Sequence, residues 1–222
     1  MTLRIFFFLL VLLVSVNTSF AQEPAPSPSP TPVKKANQRP NAGTPAEPFD
    51  NADVKTMATK CVKLETESGN VELEFFPESA PETVRNFLNL VAKKFYDTTL
   101  FSRVVPNFVV QGGSFFTRLQ KPQELHERSK RKVIDEPSLI KHERGIVSMA
   151  RGDEPNSAST HFFILVGEGK HLDGKFAAFG RVTNGIEIVD LINQMPVEGE
   201  KPAKPVRLLK AAIIGCPAKT EN

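Results

Sequence analysis

Two short apolar runs joined by a turn constrain the fold of this chain more than any other feature. Residues 100–105 and 108–110 are mainly apolar, and Pro106-Asn107, a dipeptide that favours a turn, separates them. We therefore predict two adjacent β-strands. Arg103 lies inside the first run, and Gln111 follows the second run directly.

The positions of Arg103 and Gln111 indicate a cleft. An arginine on a half-buried strand loses hydration unless its guanidinium group faces a cleft and finds a hydrogen-bond acceptor there, and the amide of Gln111 offers one. Phe108 would supply an apolar floor beside the pair. An arginine on an exposed strand face is the alternative interpretation.

Two further stretches carry short motifs that combine apolar and polar residues. One stretch reads Ser148-Met149-Ala150 and, after a polar loop, Thr160-His161-Phe162-Phe163-Ile164. The other reads Leu172-Asp173-Gly174-Lys175, followed by Phe179-Gly180. Together with residues 101–113, these stretches resemble the cyclophilin family of peptidyl-prolyl isomerases, and the three blocks stand in the order that the family has.

The resemblance, which covers about residues 59–216, implies a mainly β fold: a closed eight-stranded antiparallel β-barrel capped by two α-helices. Local periodicity agrees with parts of this fold. Apolar and charged residues alternate over 62–66 and 71–75, which predicts a hairpin with one solvated face. Apolar spacings of three and four predict helices after Pro81 and after Gly185. Periodicity alone does not predict the closure of the barrel.

The resemblance also implies an enzyme, a peptidyl-prolyl cis-trans isomerase that needs no cofactor and no metal. Rotation about an X-Pro bond is slow because its partial double-bond character gives a barrier of about 18–20 kcal/mol. In the twisted transition state the prolyl nitrogen regains its lone pair, so a donor aimed at that nitrogen lowers the barrier. The resemblance gives this role to Arg103, with Phe108 and Gln111 as the other catalytic residues. A low-activity chaperone or surface adaptor that binds proline peptides on the same fold is the alternative function.

Eight further residues are predicted, from the same resemblance, to bind the substrate around its proline ring and its backbone. They are Val109, Ala150, Arg151, Gly152, His161, Phe163, His171 and Leu172. Two of them depart from the best-known members of the family. His161 stands in the place of a glutamine and is expected to titrate near pH 6.5. His171 stands in the place of a tryptophan, which argues against tight binding of the cyclic-peptide inhibitor of the family.

The first 21 residues have the composition of a secretory signal peptide. Arg4 precedes an apolar run over 5–16, and Ser19-Phe20-Ala21 provides small residues on both sides of a cleavage site after Ala21. The run is too short to span a bilayer comfortably, although an uncleaved anchor is the alternative. We therefore expect export to the periplasm, the cell envelope or the medium, with no stable membrane insertion after removal of residues 1–21.

Residues 22–56 are predicted to be a proline-rich, disordered linker. Proline occurs at every second position from Pro24 to Pro32, and such a composition cannot form a core. The alternatives are a ligand for proline-binding partners, the arm of an adhesin, and a segment whose prolines are substrates of the isomerase itself. The isomerase domain is predicted to span 57–217, and 218–222 form a tail.

Composition limits the partners of the chain. The formal net charge is +3, from 28 basic and 25 acidic residues, and this balance does not indicate nucleic-acid binding. We expect a monomer whose partners are proline-containing peptides and unfolded or folding exported proteins. Arg128 and Lys130-Arg131-Lys132 form one dense basic cluster in the atypical 114–144 segment. It is predicted to be a solvated loop, with a contact to anionic lipid or an acidic client as the alternative.

The chain contains two cysteines, Cys61 and Cys216, near the ends of the predicted domain. The resemblance implies that the first and last strands are neighbours, so the pair is a candidate disulfide in an exported protein. Two separate thiols are the alternative.

Overall fold

The computed structural model describes residues 46–217. The predicted signal peptide 1–21, the linker as far as residue 45 and the tail from 218 to 222 lie outside the described residues. Within 46–217, no helix is long and apolar enough to cross a membrane.

The described residues form eleven strands and four α-helices. The strands are β1 (Lys60–Thr66), β2 (Gly69–Phe75), β3 (Thr99–Leu100), β4 (Arg103–Val105), β5 (Val109–Gly112), β6 (Ile146–Met149), β7 (Phe162–Leu165), β8 (Ala178–Asn184), β9 (Val197–Glu198), β10 (Lys201–Pro202) and β11 (Arg207–Gly215). The helices are α1 (Val54–Ala58), α2 (Pro81–Ala92), α3 (Gln123–Ser129) and α4 (Ile186–Asn193). Single 3₁₀ turns lie at Phe115–Thr117 and Lys170–Leu172.

Nine strands form one curled antiparallel sheet in the order β3-β11-β1-β2-β8-β6-β7-β5-β4. The two end strands, β3 and β4, are consecutive in the chain and are separated only by Phe101 and Ser102. The Phe101 N–H donates to the carbonyl of Val206, just before β11, whereas the Ser102 N–H donates to the carbonyl of Gln111 in β5. One interrupted strand therefore joins the two ends of the sheet.

This architecture confirms the predicted mainly β, antiparallel fold and the hairpin of β1 and β2. The strand count differs from eight because one strand is split into β3 and β4, which makes nine strands in the sheet, and because β9 and β10 pair separately. The closure also differs from a fully paired barrel, since the chain itself joins β3 to β4 and the two strands do not pair with each other. Helices α2 and α4 begin where Pro81 and Gly185 predicted them. The number of helices differs from two, since α1 and α3 add two short helices before the barrel and in the 114–144 segment.

Helix α2 packs its apolar face into the core. The ring of Phe87 lies 5.5 Å from Phe75, 5.4 Å from Phe162 and 5.1 Å from Phe179, measured between ring centroids. The residue before the helix, Ala80, has no side chain that can accept hydrogen bonds from the first turn. The carboxylate of Glu136, from the 114–144 segment, instead accepts from the first backbone N–H groups of the helix.

The basic cluster does not form a solvated loop throughout, so this prediction is wrong for Arg128. Its side chain is buried, with Nε donating to Glu47 Oε1 at 2.6 Å and Nη2 donating to Asn86 Oδ1 at 2.9 Å. Arg131 Nη1 donates to the other oxygen of Glu47 at 3.0 Å. Lys130, in contrast, is exposed and pairs with Glu127.

Residues 46–56 pack against the domain, so their assignment to a disordered linker is wrong. The backbone N–H of Phe49 donates to Asn89 Oδ1 at 2.8 Å, and Arg85 Nη1 donates to the carbonyls of Phe49 and Ala52 at 2.8 and 2.5 Å. Arg128 and Arg131 both bind the carboxylate of Glu47 and so hold residues 46–53 against the domain.

Replacing Glu47 by alanine is expected to lower the free energy of unfolding by about 3 kcal/mol, because it leaves a buried guanidinium without its counter-charge. The side chains of Glu47 and Arg128 are only 2% and 6% exposed. Urea unfolding followed by circular dichroism measures the loss. The control is Glu124→Ala, which removes a carboxylate that pairs with Lys93 but is 75% exposed. If both variants lost the same free energy of unfolding, the stabilising role of the buried Glu47 carboxylate would be contradicted.

The two cysteines are joined by a disulfide in the structure, Cys61 to Cys216. Strands β1 and β11 are antiparallel neighbours, with Cys61 opposite Ile214 in the ladder. The N–H of Cys216 donates to the carbonyl of Thr59 at 3.2 Å, which continues the pairing past the end of β11. The disulfide thus links the first and last strands of the sheet.

Candidate active site

A cavity of about 450 Å³ opens beside β4, β5 and β7. The residues that line it are Arg103, Phe108, Val109, Gln111, Ala150, Arg151, Phe163, His171, Leu172 and Phe176. All of them except Phe176 were predicted site residues. Two predicted residues, Gly152 and His161, do not line the cavity.

The hairpin of β4 and β5 places the polar pair at the cavity. Arg103 lies directly opposite Gln111 in the ladder, so both side chains project from the same face. Nη1 of Arg103 donates to Oε1 of Gln111 at 3.1 Å. This geometry confirms the predicted adjacent strands and brings the two side chains together as expected.

The turn between these strands is held from behind by helix α4. The turn residue Asn107 has a positive φ of 60°, a conformation that asparagine tolerates better than most residues. Asn193 of α4 accepts from the Asn107 N–H at 2.8 Å and donates to the carbonyls of Val105 and Val109 at 2.9 and 3.1 Å. A single buried amide therefore fixes the backbone on both sides of Phe108.

One part of the cavity wall is apolar. Val109, Phe163 and Leu172 belong to a small cluster of buried side chains that is separate from the main core. Phe108 packs its ring 5.2 Å from the ring of His171, and both residues line the cavity. A compact apolar ring of five atoms is the kind of group that such a wall accommodates.

Arg151 forms the rim of the cavity on the side of the 150–160 loop. Its guanidinium carbon lies 5.0 Å from the centroid of the Phe176 ring, a distance that favours a cation–π interaction. Nη1 donates to the carbonyl of Gly152 at 2.9 Å, and Nε lies 3.7 Å from Asp135 Oδ1. Gly152, the next residue, is exposed. Phe176 directly follows the Leu172-Asp173-Gly174-Lys175 motif, and this position is the signal that could have identified it.

His161 lies behind the rim, where its carbonyl accepts from the N–H of Ala150 at 3.0 Å. Burial lowers the pKa of His161 below its ordinary value of 6.5, because the charged ring loses hydration. The expectation that it titrates near pH 6.5 is therefore wrong, and its ring is neutral at pH 7. Since the unfolded chain takes up this proton first, the folded state loses stability as the pH falls below about 6.5.

Glu200, in the turn between β9 and β10, is the charged partner that sequence reasoning missed. Its Oε2 accepts from Arg103 Nε at 2.7 Å, and its Oε1 accepts from Arg103 Nη2 at 3.0 Å. These bonds lower the pKa of the Glu200 carboxyl below its ordinary value. The two residues lie 97 positions apart, so no local pattern connects them.

A second polar cluster, next to the cavity, has the residue types of a hydrolase but not the access. His142 Nδ1 lies 3.1 Å from Asp173 Oδ1, and His142 Nε2 lies 3.1 Å from Ser148 Oγ. Ser148 is fully buried and donates to the carbonyl of Ala177, so its hydroxyl cannot reach a substrate. The backbone N–H of His142 is the main cause that lowers the pKa of Asp173 to about 2. This cluster joins the segment of His142 to Asp173, directly after the turn that carries His171 and Leu172.

A curled antiparallel barrel with an arginine–glutamine pair facing an apolar wall defines a class of protein, the cyclophilin-type isomerases. The family model described as cyclophilin type peptidyl-prolyl cis-trans isomerase/CLD matches residues 61–213. The chain belongs to this family and is a peptidyl-prolyl cis-trans isomerase.

Relatives of the same description support the assignment over most of their length. A peptidyl-prolyl cis-trans isomerase of Acinetobacter baylyi is 33% identical over 168 residues, which cover 71% of this chain and 87% of the relative. Peptidyl-prolyl cis-trans isomerase A of Dickeya dadantii is 36% identical over 176 residues, which cover 75% of this chain and 90% of the relative.

Solved structures show the same fold. A crystal structure of a cyclophilin type peptidyl-prolyl cis-trans isomerase of Cryptosporidium parvum matches with a TM-score of 0.62 and 27% identity, over 71% of this chain and 99% of that chain. A structure of the same protein in the presence of the dipeptide Ala-Pro matches with a TM-score of 0.61 over 70% of this chain.

Proposed function

We propose that this enzyme accelerates X-Pro rotation in exported proteins while they fold, and that Arg103, Phe108 and Gln111 carry the reaction. The observation that supports the site most directly is the Arg103–Gln111 pair at 3.1 Å, which lines the same cavity as the apolar wall. The remaining steps follow from what each group can do to a peptide in that cavity.

Arg103 acts as the hydrogen-bond donor to the prolyl nitrogen. In the planar ground state the nitrogen lone pair is conjugated with the carbonyl group and accepts poorly, whereas in the twisted state the lone pair is free. The donor therefore stabilises the transition state more than the ground state. A preorganised donor of this kind lowers a barrier by about 2.7–4 kcal/mol. No bond is broken and no proton is transferred.

Gln111 both holds the arginine and binds the peptide. Its carbonyl oxygen accepts from Arg103 Nη1, so its NH₂ group points away from the arginine and is free to donate to a carbonyl of the substrate. Fixing that carbonyl while the proline ring is held elsewhere restricts rotation to the X-Pro bond.

Phe108, Phe163 and Leu172 hold the proline ring on the apolar side of the cavity, next to Val109. Ala150, Arg151 and Gly152 form the rim along which the rest of the peptide continues, and His171 closes the side near Phe108. The neutral His161 supports the rim from behind through its backbone. The family member studied with Ala-Pro supports a substrate of the X-Pro type.

The proposal that the substrates are exported proteins has two supports. The first is the signal-peptide pattern of residues 1–21. The second is the Cys61–Cys216 disulfide, since disulfides persist in oxidising, extracytoplasmic compartments. The intact arginine–glutamine pair favours turnover over the alternative of a module that only binds proline peptides.

Expression of the full chain in a Gram-negative bacterium tests the cellular part of the proposal. We expect a product cleaved after Ala21 in the periplasmic fraction, and we expect this product to accelerate the proline-limited refolding phase of a disulfide-containing exported protein. Mass spectrometry of the N-terminus and refolding followed by fluorescence measure the two results. An uncleaved chain in the cytoplasm, or an unchanged slow phase, would contradict the proposal.

A further inference from the structure

We propose that Glu200 is a positioning residue for the reaction: it holds the guanidinium group of Arg103 in the orientation that presents its free N–H groups to the substrate. The inference rests on the proposed role of Arg103 as the donor to the prolyl nitrogen. It adds a residue from outside the three sequence blocks of the family resemblance, in a turn that does not line the cavity.

The contact between the two side chains is bidentate. Arg103 Nε donates to one oxygen of Glu200 at 2.7 Å and Nη2 donates to the other at 3.0 Å, so the carboxylate and the guanidinium lie edge to edge. Gln111 takes a third N–H, on Nη1. A guanidinium group carries five N–H donors, so two N–H groups remain for the substrate, one on Nη1 and one on Nη2.

Arg103 needs this support because little else in its surroundings restricts it. It is the first residue of a three-residue strand, and its side chain is 39% exposed. The single bond to Gln111 fixes one nitrogen but allows the planar group to rotate about that bond. The two parallel bonds to Glu200 remove this rotation and set the plane of the guanidinium, which a donor to a transition state requires.

The turn that carries Glu200 is fixed to the strand that carries Arg103. The N–H of Val104 donates to the carbonyl of Glu200 at 2.8 Å, so the backbones next to both side chains are hydrogen-bonded to each other. Strands β9 and β10 pair across the turn, and Gly199, with φ of 64°, supplies the left-handed conformation there. These backbone hydrogen bonds therefore fix the position of the Glu200 carboxylate beside Arg103.

A role in stability does not account for the pair. Glu200 is 55% exposed, and ion pairs with this exposure contribute little to the free energy of unfolding. Among the described residues, the salt-bridge partner of Glu200 is Arg103. Glu198 and Lys201 are the other charged residues of the same turn. The effect of removing the carboxylate should consequently appear in the activity.

The test compares the Glu200→Gln and Glu198→Gln variants of the enzyme that begins at residue 22. The cis-to-trans rate of an Ala-Pro peptide is measured by NMR exchange spectroscopy. We expect Glu200→Gln to lower kcat/KM by about tenfold, with most of the loss in kcat and with an unchanged melting temperature. Glu198→Gln, an exposed carboxylate of the same turn, should behave like the unmodified enzyme. In an Arg103→Ala background, Glu200→Gln should cause no further loss.

The pH dependence gives a second readout. The kcat/KM of the unmodified enzyme should fall only at a pH below the ordinary glutamate pKa of about 4.3, because Arg103 lowers the pKa of Glu200 and protonation of Glu200 then breaks the pair, while Glu200→Gln should show no such fall. Parallel pH profiles would overturn the inference.

The outcomes also separate this inference from the proposed function. Unchanged or increased kcat in Glu200→Gln, together with a large loss in Arg103→Ala, would overturn the positioning role alone. Full activity in Arg103→Ala would overturn both. A loss in Glu200→Gln that persists in the Arg103→Ala background would show that Glu200 acts without Arg103, which also contradicts the inference.

Discussion

Replacing Arg103 by alanine is expected to lower kcat/KM for a short Ala-Pro peptide by about a hundred- to a thousandfold. The estimate follows from the loss of one preorganised donor, about 2.7–4 kcal/mol, at about 1.36 kcal/mol for each factor of ten. The apolar wall remains, so the variant should still bind proline peptides. The cis-to-trans rate, measured by NMR exchange spectroscopy with the purified enzyme, gives the result.

Arg181→Ala provides a matched control. Arg181 is also a strand arginine with a glutamate partner, Glu74, and it is exposed on β8, away from the residues that line the cavity. Its removal takes away the same charge and a comparable ion pair, so it should leave kcat/KM unchanged. If the two variants lost equal activity, net charge would explain the effect and the donor role of Arg103 would be wrong.

Sequence patterns were sufficient where the determining contacts are local. The alternation over 62–66 and 71–75 has the period of a strand, and Pro81 has its φ already set for the first turn of a helix. The predicted residues that line the cavity lie in three short blocks. Each block contains no more than two elements and the turn or loop that joins them, so the order of its residues largely decides which side chains face the same way.

The structure differs from the predictions where the determining contact is distant in sequence. Glu200 lies in a polar turn that resembles any solvated turn, and nothing near it in sequence indicates Arg103. Glu47 follows a proline-rich stretch whose composition indicates no core, yet it is buried because Arg128, 81 positions later, neutralises it. Composition describes a segment alone, whereas burial depends on the partner that the fold supplies.

Local sequence patterns could not predict the closure of the barrel, for a similar reason. Residues 100–105 read as one continuous apolar strand, but the backbone changes partner at Phe101 and Ser102. This change is determined by where β5 and β11 lie. In the same way, the residue type at His161 was enough to predict a titrating group, but its lowered pKa follows from burial that only the fold determines.

Removing the Cys61–Cys216 disulfide is expected to lower the free energy of unfolding by about 5 kcal/mol. The bond spans a sequence separation of 155 residues, and chain-entropy arguments assign a loop of that length about this value. Domains are stable by only about 5–15 kcal/mol, so the loss is a third or more of the total. Urea unfolding of the Cys61→Ser/Cys216→Ser variant, beside the oxidised enzyme, measures it.

Reduction of the unmodified enzyme is the control for this experiment. A thiol reductant should bring its unfolding curve to that of the double variant, and it should leave the variant itself unchanged. A reductant that destabilises both proteins equally would indicate an effect unrelated to the disulfide. A variant as stable as the oxidised enzyme would contradict the prediction.

The folded double variant should keep its isomerase activity at 25 °C, because none of the residues that line the cavity belongs to β1 or β11. The shorter path from the disulfide to the site within the sheet is through β11, which pairs with β3, and β3 continues through two residues into β4 and Arg103. If the variant lost activity while folded, the result would indicate that the strand from β3 to β4 transmits the loss of the disulfide to Arg103. If it kept activity, the disulfide contributes to stability and not to catalysis.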